Sequence, residues 1–292
     1  MTDREGGALT TYVITGGSDG IGLECGSQVA GIDPGCRIVL VGRSPDRTAT
    51  AVGRIRAEQP SCRVDSLLCD FTDQSAVRRL AEDLLKACER IDVLVNNAGT
   101  VFSRRTVTAD GIESTFAVNH LGGFLLTALL LDRLVESAPA RVVFTSSEAH
   151  YSATMELDDL GFEHGYSIMK AYGRSKLANV LTARLLADRL QGTGVTVTSL
   201  HPGAISTNIW SGAPWFARPV LAVLKRWKME TPEVGGSRLA YLATSPEVEG
   251  RTGGYYQRNR LREPSDLARD DVLAEALYAE SSRLVGLGAT PA

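Results

Sequence analysis

The sequence predicts an α/β protein, a doubly wound parallel sheet with helices on both faces, built as a single domain over residues 1–292. Three observations predict it. Short β-prone runs alternate with segments of helical pattern through most of the chain. The first run meets the first helical pattern at a glycine-rich turn, Gly16-Gly17-Ser18-Asp19-Gly20-Ile21-Gly22. The polar clusters of chemical interest fall at the carboxyl ends of the runs, the edge on which such sheets bind ligands.

Tyr12-Val13-Ile14 is β-prone and stops at the glycine turn. A helical pattern (Ile21, Cys25, Val29, Ala30) follows and ends at the turn signal Asp33-Pro34-Gly35. Arg37 to Val41 is a near-continuous apolar run, as expected of a strand buried on both faces. Strand, turn, helix and strand make a βαβ unit. The pattern then repeats. A helix covers Asp46 to Glu58, a strand Val64 to Leu68, a helix Ser75 to Cys88, and a strand Ile91 to Val95. A long apolar helix is expected from about Gly111 to Glu136, then a strand from Arg141 to Thr145. After an irregular stretch, Glu148 to Gly165, a helix reaches about Leu190 and a strand runs from Gly194 to Leu200. The strand ends carry Gly16–Gly22, Gly42-Arg43, Asp70, Asn96–Gly99, Ser146-Ser147 and Pro202-Gly203.

Composition narrows the class. Hydrophobic residues are 43% of the chain and charged ones 22%, enough for a sizeable core. A net charge of −3 leaves no basic excess, so no nucleic-acid partner is expected. Cys25, Cys36, Cys62, Cys69 and Cys88 are odd in number and form no Cys-x-x-Cys pair, as expected of reduced thiols. Met1 to Thr10 has no apolar leader, and no run approaches the ~18 residues of a membrane span. A cytoplasmic protein is expected. His120, His150, His164 and His201 lack metal-ligand spacing, so no metal site is expected.

Gly16, Gly20 and Gly22 are spaced Gly-x-x-x-Gly-x-Gly. Between a first strand and a first helix, such glycines let backbone approach a pyrophosphate, which the free N–H groups of the helix N-terminus then bind. Further along, a tyrosine and a lysine stand four residues apart twice, Tyr166 with Lys170 and Tyr172 with Lys176. On a helix each pair shares one face. An ammonium beside a phenol favours the phenolate and lowers the tyrosine pKa, as proton transfer near neutral pH requires.

Taken together, Thr15-Gly-x-x-x-Gly-Ile-Gly22, Asn96-Asn-Ala-Gly99, Ser147, Tyr172-x-x-x-Lys176 and Pro202-Gly-x-x-x-Thr207 resemble the short-chain dehydrogenase/reductase family in order and spacing. The resemblance is to its retinol-dehydrogenase-like branch in Phe116-Ala-Val-Asn-His-Leu-Gly-Gly-Phe-Leu-Leu-Thr127, in Ser175-Lys-Leu-Ala-Asn179 and in the Arg-Leu-Val-Gly stretch around Leu284. It implies a Rossmann-like fold, with residues 8–110 mainly the dinucleotide-binding half and 111–292 the catalytic and substrate half. It also implies an NAD(P)H-dependent oxidoreductase that moves hydride between nicotinamide and the carbonyl or alcohol of a small molecule. Reduction of a C=N or C=C bond remains an alternative. A non-catalytic NADP(H)-binding regulator is disfavoured, because all four catalytic positions are present.

The family motif has a small residue before the lysine, which selects Tyr172 (Ser175 precedes Lys176) over Tyr166 (Met169 precedes Lys170). Tyr172 is then the general acid or base. Lys176 lowers its pKa and, by resemblance, bonds the nicotinamide ribose, while Ser147 polarises the substrate carbonyl. Asn119 matches the family's fourth catalytic residue, which holds a water in a relay with the lysine. Gly16, Ser18, Asp19, Gly20, Ile21 and Gly22 are assigned to the cofactor through the glycine turn. Asp70 and Phe71 are placed at the adenine and Asn97, Ala98 and Gly99 at its ribose. Tyr172, Lys176, Pro202, Gly203 and Thr207 are placed toward the nicotinamide and phosphates. Where NAD selectivity calls for an acid after the second strand, the chain has Gly42-Arg43, which suits a 2′-phosphate. NADP(H) is therefore expected over NAD(H), with Asp19 arguing mildly the other way.

Residues 208–232 are expected to form a lid, with Trp210, Trp215, Phe216 and Trp227 pointing to an apolar or aromatic substrate. The basic amphipathic part, 214–228, is interrupted by Pro219 and is assigned to that lid rather than to a membrane surface. The stretch between Ser147 and Tyr172, with Tyr151, Met155, Phe162 and Tyr166, is expected to wall the pocket. It can also obstruct the helix surface on which many relatives dimerise, so a homodimer is left open.

Overall fold

The computed structural model describes residues 9–205 and 229–288. Its centre is one eight-stranded sheet in the order β3-β2-β1-β4-β5-β6-β7-β8. The strands are β1 (Thr11–Thr15), β2 (Arg37–Gly42), β3 (Arg63–Leu68), β4 (Val93–Asn96), β5 (Ala140–Thr145), β6 (Val195–His201), β7 (Tyr255–Gln257) and β8 (Arg260–Arg262). The first seven run parallel, and β8 turns back antiparallel on β7. Strand order reverses between β1 and β4, so their carboxyl ends splay open a crevice.

Side-chain alternation builds a separate apolar core on each face. Val13, Val39, Val41, Leu94, Val142 and Phe144 point to one side, with α3 (Gln74–Ala87) and α7 (Ile168–Arg189). Tyr12, Ile14, Ile38, Leu40, Val93 and Val95 point to the other, with α1 (Gly20–Ile32) and α2 (Pro45–Glu58). Both faces are buried, which is why the strands read as unbroken apolar runs. All five cysteines are free thiols and all are buried.

Three departures from the sequence expectation matter for the site. The long helix expected over 111–136 is broken into α4 (Ser114–Phe116), a π-helical turn (Ala117–Leu121), α5 (Gly122–Leu129) and α6 (Leu131–Glu136). An apolar pattern cannot reveal a π turn, since inserting one residue per turn leaves most of the apolar face in place. The β7–β8 hairpin went unassigned because each strand is three residues long and its Arg258-Asn259 turn, at φ 50° and 58°, lacks the usual glycine. Two further helices, α8 (Pro232–Thr244) and α9 (Asp271–Leu284), close the two faces. Thr207, Trp210, Trp215, Phe216, Trp227 and the amphipathic stretch 214–228 lie outside the described residues.

Candidate active site

A cleft of about 680 Å³ follows the carboxyl edge of the sheet, from the end of β2 past β1 and β4 to the ends of β5 and β6. Its floor is tied across the crevice by Thr15. That hydroxyl donates to Val95 O (3.2 Å) and accepts from the N–H groups of Asn97 (2.9 Å) and Ala98 (3.0 Å). The glycine turn depends on having no side chains. Gly16 sits at φ +66°, and a Cβ on Gly22 would stand 2.2 Å from Gly16 O. Gly16, Ser18, Asp19, Gly20 and Ile21 line the cleft, whereas Gly22 does not. Gly22 serves by letting α1 begin directly beneath the turn. Asp19 caps α1, its carboxylate accepting from Gly20 N (2.7 Å).

At the β2 end, Gly42, Arg43, Asp70 and Phe71 all reach the cleft. The bare Cα of Gly42 has a structural cause besides ligand space, because a Cβ there would lie 2.2 Å from Thr48 Oγ1. Arg47 lines the same end. Sequence reasoning passed over it, although it stands four residues after Arg43 and sits at the start of α2. Asp70 uses one oxygen, Oδ1, on the N–H and hydroxyl of Thr72 (3.0 and 2.8 Å). Asn97, Ala98 and Gly99 line the middle, and Pro202 and Gly203 the far end. Arg238 donates to Pro202 O (2.6 Å) and makes a two-pronged ion pair with Glu230, holding that turn from behind.

The β5 end and α7 bring Ser147, Tyr172 and Lys176 together. The two neighbouring serines divide as strand alternation predicts. Both line the cleft, but Ser146 is buried and donates to Lys176 O (2.7 Å), clamping β5 to α7, whereas Ser147 is half-buried and its hydroxyl accepts from Ala149 N (3.2 Å). The Ser147 hydroxyl also hydrogen-bonds the Tyr172 hydroxyl. Lys176 is 2% exposed, donates from Nζ to Thr145 O (3.0 Å), and stands 5.6 Å from the centre of the Tyr172 ring.

Electrostatics here differs from the sequence expectation. Burial pushes the Tyr172 phenol above its ordinary value, and the Ser147 hydroxyl only partly opposes this. Burial also pushes the Lys176 ammonium down to about 8. In the protein alone the dominant effect is desolvation of both groups, not the lysine's charge acting on the phenol.

Asn119 sits in the middle of the π turn and does not line the cleft. Its Oδ1 accepts from Thr100 N (2.7 Å) and its Nδ2 donates to Ser175 Oγ (3.0 Å). Its backbone carbonyl accepts from Asn179 Nδ2 (3.0 Å). A methyl on Gly99 would lie 3.4 Å from Asn119 Oδ1 and 3.5 Å from Lys176 Nζ, so the asparagine and the lysine flank one spot.

The expected aromatic wall faces elsewhere. Tyr166 precedes α7 and donates to Phe102 O (3.1 Å), and Lys170 is exposed. Phe162 packs under the buried Arg174 guanidinium, 3.6 Å away, and Tyr151 donates to Glu263 O (2.6 Å). Met155 packs on the core. From that stretch the cleft receives Glu148, Ala149 and Met169 instead. Arg174 accounts for the difference. It is fully buried and donates to the carbonyls of Thr154 and Asp159, drawing the loop inward.

Comparison with known proteins agrees with this arrangement. Residues 10–214 match the family model described as short chain dehydrogenase. The chain is 37% identical over 284 residues to human retinol dehydrogenase 13, covering 96% of this chain and 85% of that protein. It is 39% identical over 279 residues to Streptomyces sp. (strain C5) DnrU, provisionally named a daunorubicin C-13 ketoreductase, covering 94% and 92%. Among solved structures, an uncharacterised protein from Mycobacterium paratuberculosis superposes with a TM-score of 0.77 at 30% identity, covering 96% and 94% of the chains. Pseudomonas aeruginosa RhlG, in a complex with NADP, superposes at 0.65 with 26% identity, covering 85% and 94%. With the family model spanning most of the chain and the strand order and cleft in place, the protein belongs to the short chain dehydrogenase family and is an NAD(P)-dependent oxidoreductase.

Proposed function

We propose that the protein is an NADPH-preferring reductase of carbonyl compounds, running also as an alcohol dehydrogenase, with Tyr172 as its general acid and base. The observation that carries this reading is the meeting of Tyr172, Ser147 and Lys176 at one end of a cleft whose other end holds Arg43 and Arg47. The glycine turn fits a dinucleotide, since the Gly16–Gly22 packing leaves backbone at the cleft where a pyrophosphate needs it.

When bound, NADPH supplies the hydride. The chain's own residues supply the rest. Ser147 and Tyr172 present two hydroxyls to one substrate oxygen, polarising the carbonyl and stabilising charge that develops on it. Burial keeps the Tyr172 phenol protonated at neutral pH, so it is ready to donate. After the phenol gives up its proton, the Lys176 charge beside the ring stabilises the phenolate that remains. Lys176 is also assigned the bond to the nicotinamide ribose. Asn119 is assigned the water of the proton relay; its side chain bonds Thr100 N and Ser175 Oγ, and its carbonyl accepts from Asn179 Nδ2.

Arg43 and Arg47 are exposed at the adenosine end and suit a 2′-phosphate, and the complex of RhlG with NADP is in keeping with that. Asp19 caps α1 and also lines the cleft, where the turn offers no basic residue to a phosphate, so it still argues mildly for NAD. The names of the retinol dehydrogenases and of DnrU, with Met169, Met229 and Ile205 in the cleft wall, support a bulky and largely apolar carbonyl or alcohol as substrate. The test is NADPH and NADH consumption across aldehydes and ketones of that kind. NADPH should be preferred about tenfold or more, and Arg43→Ala with Arg47→Ala should remove most of the preference. Absence of turnover with either nucleotide, together with absence of binding, would overturn the proposal.

A further inference from the structure

Behind the cleft, a buried chain of hydrogen bonds leads from the carbonyl that anchors Lys176 to the C-terminal helix. Thr145 O accepts from Lys176 Nζ (3.0 Å) and also from Asn179 Nδ2 (3.0 Å). The same Asn179 amide donates to Asn119 O (3.0 Å) in the π turn. Asn179 Oδ1 lies 3.2 Å from His120 Nδ1, and His120 Nε2 lies 3.0 Å from Ser281 Oγ on α9. Asn179 is 2% exposed, and His120 and Ser281 are 0% exposed.

The direction of every bond in this chain is determined. Two backbone carbonyls face Asn179 Nδ2, so that atom is the amide nitrogen and Oδ1 can only accept. His120 must therefore carry its proton on Nδ1. Its Nε2 is then a lone pair, and Ser281 donates to it. Desolvation holds His120 neutral, pushed down to about 4, which keeps that single tautomer at physiological pH. The donors run Ser281 to His120 to Asn179, and Asn179 fixes the positions of Asn119 O and Thr145 O.

We infer that His120 and Asn179 are positioning residues for catalysis, locking the Asn119 π turn and the Lys176 anchor at Thr145 in one geometry through a hydrogen-bond chain that ends on Ser281. This rests on Tyr172 and Lys176 being the reacting pair, as proposed above. Neither His120 nor Asn179 lines the cleft. They act through the two carbonyls, which is where a small shift of Lys176 or of the Asn119 carbonyl would be felt by the reaction.

The His120 ring also packs against Phe116 (ring centres 4.9 Å apart) and Phe124 (5.8 Å), so a purely packing role must be separated from a polar one. Two variants separate them. His120→Phe keeps an aromatic ring and loses both hydrogen bonds, whereas His120→Asn loses the ring but keeps a donor at the Nδ1 position. The full-length enzyme would be assayed with NADPH and a ketone that the wild type turns over. Melting temperature and the NADPH dissociation constant would be measured alongside.

His120→Phe is expected to lower kcat about 10- to 100-fold while the NADPH dissociation constant moves less than about threefold. His120→Asn should retain more kcat than His120→Phe even where it melts lower. Ser281→Ala removes only the last donor and should lower kcat by about two- to fivefold. If His120→Phe fails to fold, Ser281→Ala and His120→Asn carry the test. The inference is overturned if kcat follows melting temperature across the set, with His120→Phe as active as wild type, or if Ser281→Ala and His120→Asn leave kcat unchanged. A wild type that consumes no NADPH would instead fail the proposed function, and the two failures are thereby distinct.

Discussion

Tyr166–Lys170 and Tyr172–Lys176 have the same spacing and neighbouring places in the chain, yet the fold makes different things of them. Tyr172 and Lys176 both lie within α7, beside the end of β5, and share a face that opens on the cleft. Tyr166 falls before α7 begins, so four residues of separation do not bring it over Lys170. Its hydroxyl is taken by Phe102 O, and Lys170 is left in solvent. The same residue types at the same interval thus become a candidate catalytic pair in one case and loop packing in the other. Helix phase, burial and a neighbouring strand end decide which. Spacing alone does not.

Lysine substitutions make the widest contrast. Lys176→Met should lower turnover by about 10²- to 10⁴-fold, since it removes the charge that stabilises the phenolate. Lys170→Met should leave steady-state rates within about twofold, as expected of an exposed lysine. Equal losses from the two would break the distinction drawn here. Ser147→Ala should lower kcat by about 10²- to 10³-fold by removing one of the two hydroxyls offered to the substrate oxygen. Ser146→Ala should act on melting temperature instead, because its hydroxyl clamps the Lys176 carbonyl. Single-turnover rates and thermal melts on the pair check this.

A smaller effect is expected at the cradle. Gly22→Ala puts a methyl 2.2 Å from Gly16 O, and the forced shift of the turn should weaken NADPH binding about tenfold or destabilise the protein by about 1–3 kcal/mol. Nucleotide titration and denaturation distinguish the two outcomes.

A further effect is expected on acid stability. His120 and His201 are held near 4 by burial, below the ordinary 6.5. Between those values the unfolded chain binds protons that the folded chain refuses, so stability falls as pH drops through the window. For His120 alone the fall amounts to at most about 3 kcal/mol by pH 4. Melting temperature should decline from pH 6.5 toward 4.5, and His120→Asn should make that decline shallower. Parallel curves would show that His120 is not held neutral.

Much of the fold was legible because its signals are local. The glycine turn, the apolar strands and the residues closing each strand are contiguous in sequence, and so were found. Arg47 was missed although it is a second arginine only four residues beyond Arg43. The β7–β8 hairpin was missed because neither its strands nor its turn carries the usual pattern. The inward pull of Arg174, which turns Phe162 and the loop around it from the cleft, depends on contacts that exist only once α7 has packed. So does the His120–Asn179–Ser281 chain, whose members come from three separate helical segments. The pKa of Tyr172 was misjudged for a related reason, since sequence shows which charge is near but not how little water remains.

The most direct test of the central claim is NADPH oxidation by wild type, Tyr172→Phe and Tyr166→Phe with one good ketone substrate, measured beside NADPH affinity. Tyr172→Phe should lose turnover by about 10²-fold or more while still binding nucleotide, and Tyr166→Phe should stay within a few fold of wild type. A Tyr166→Phe enzyme that is dead beside a Tyr172→Phe enzyme that turns over would contradict the assignment of the catalytic pair.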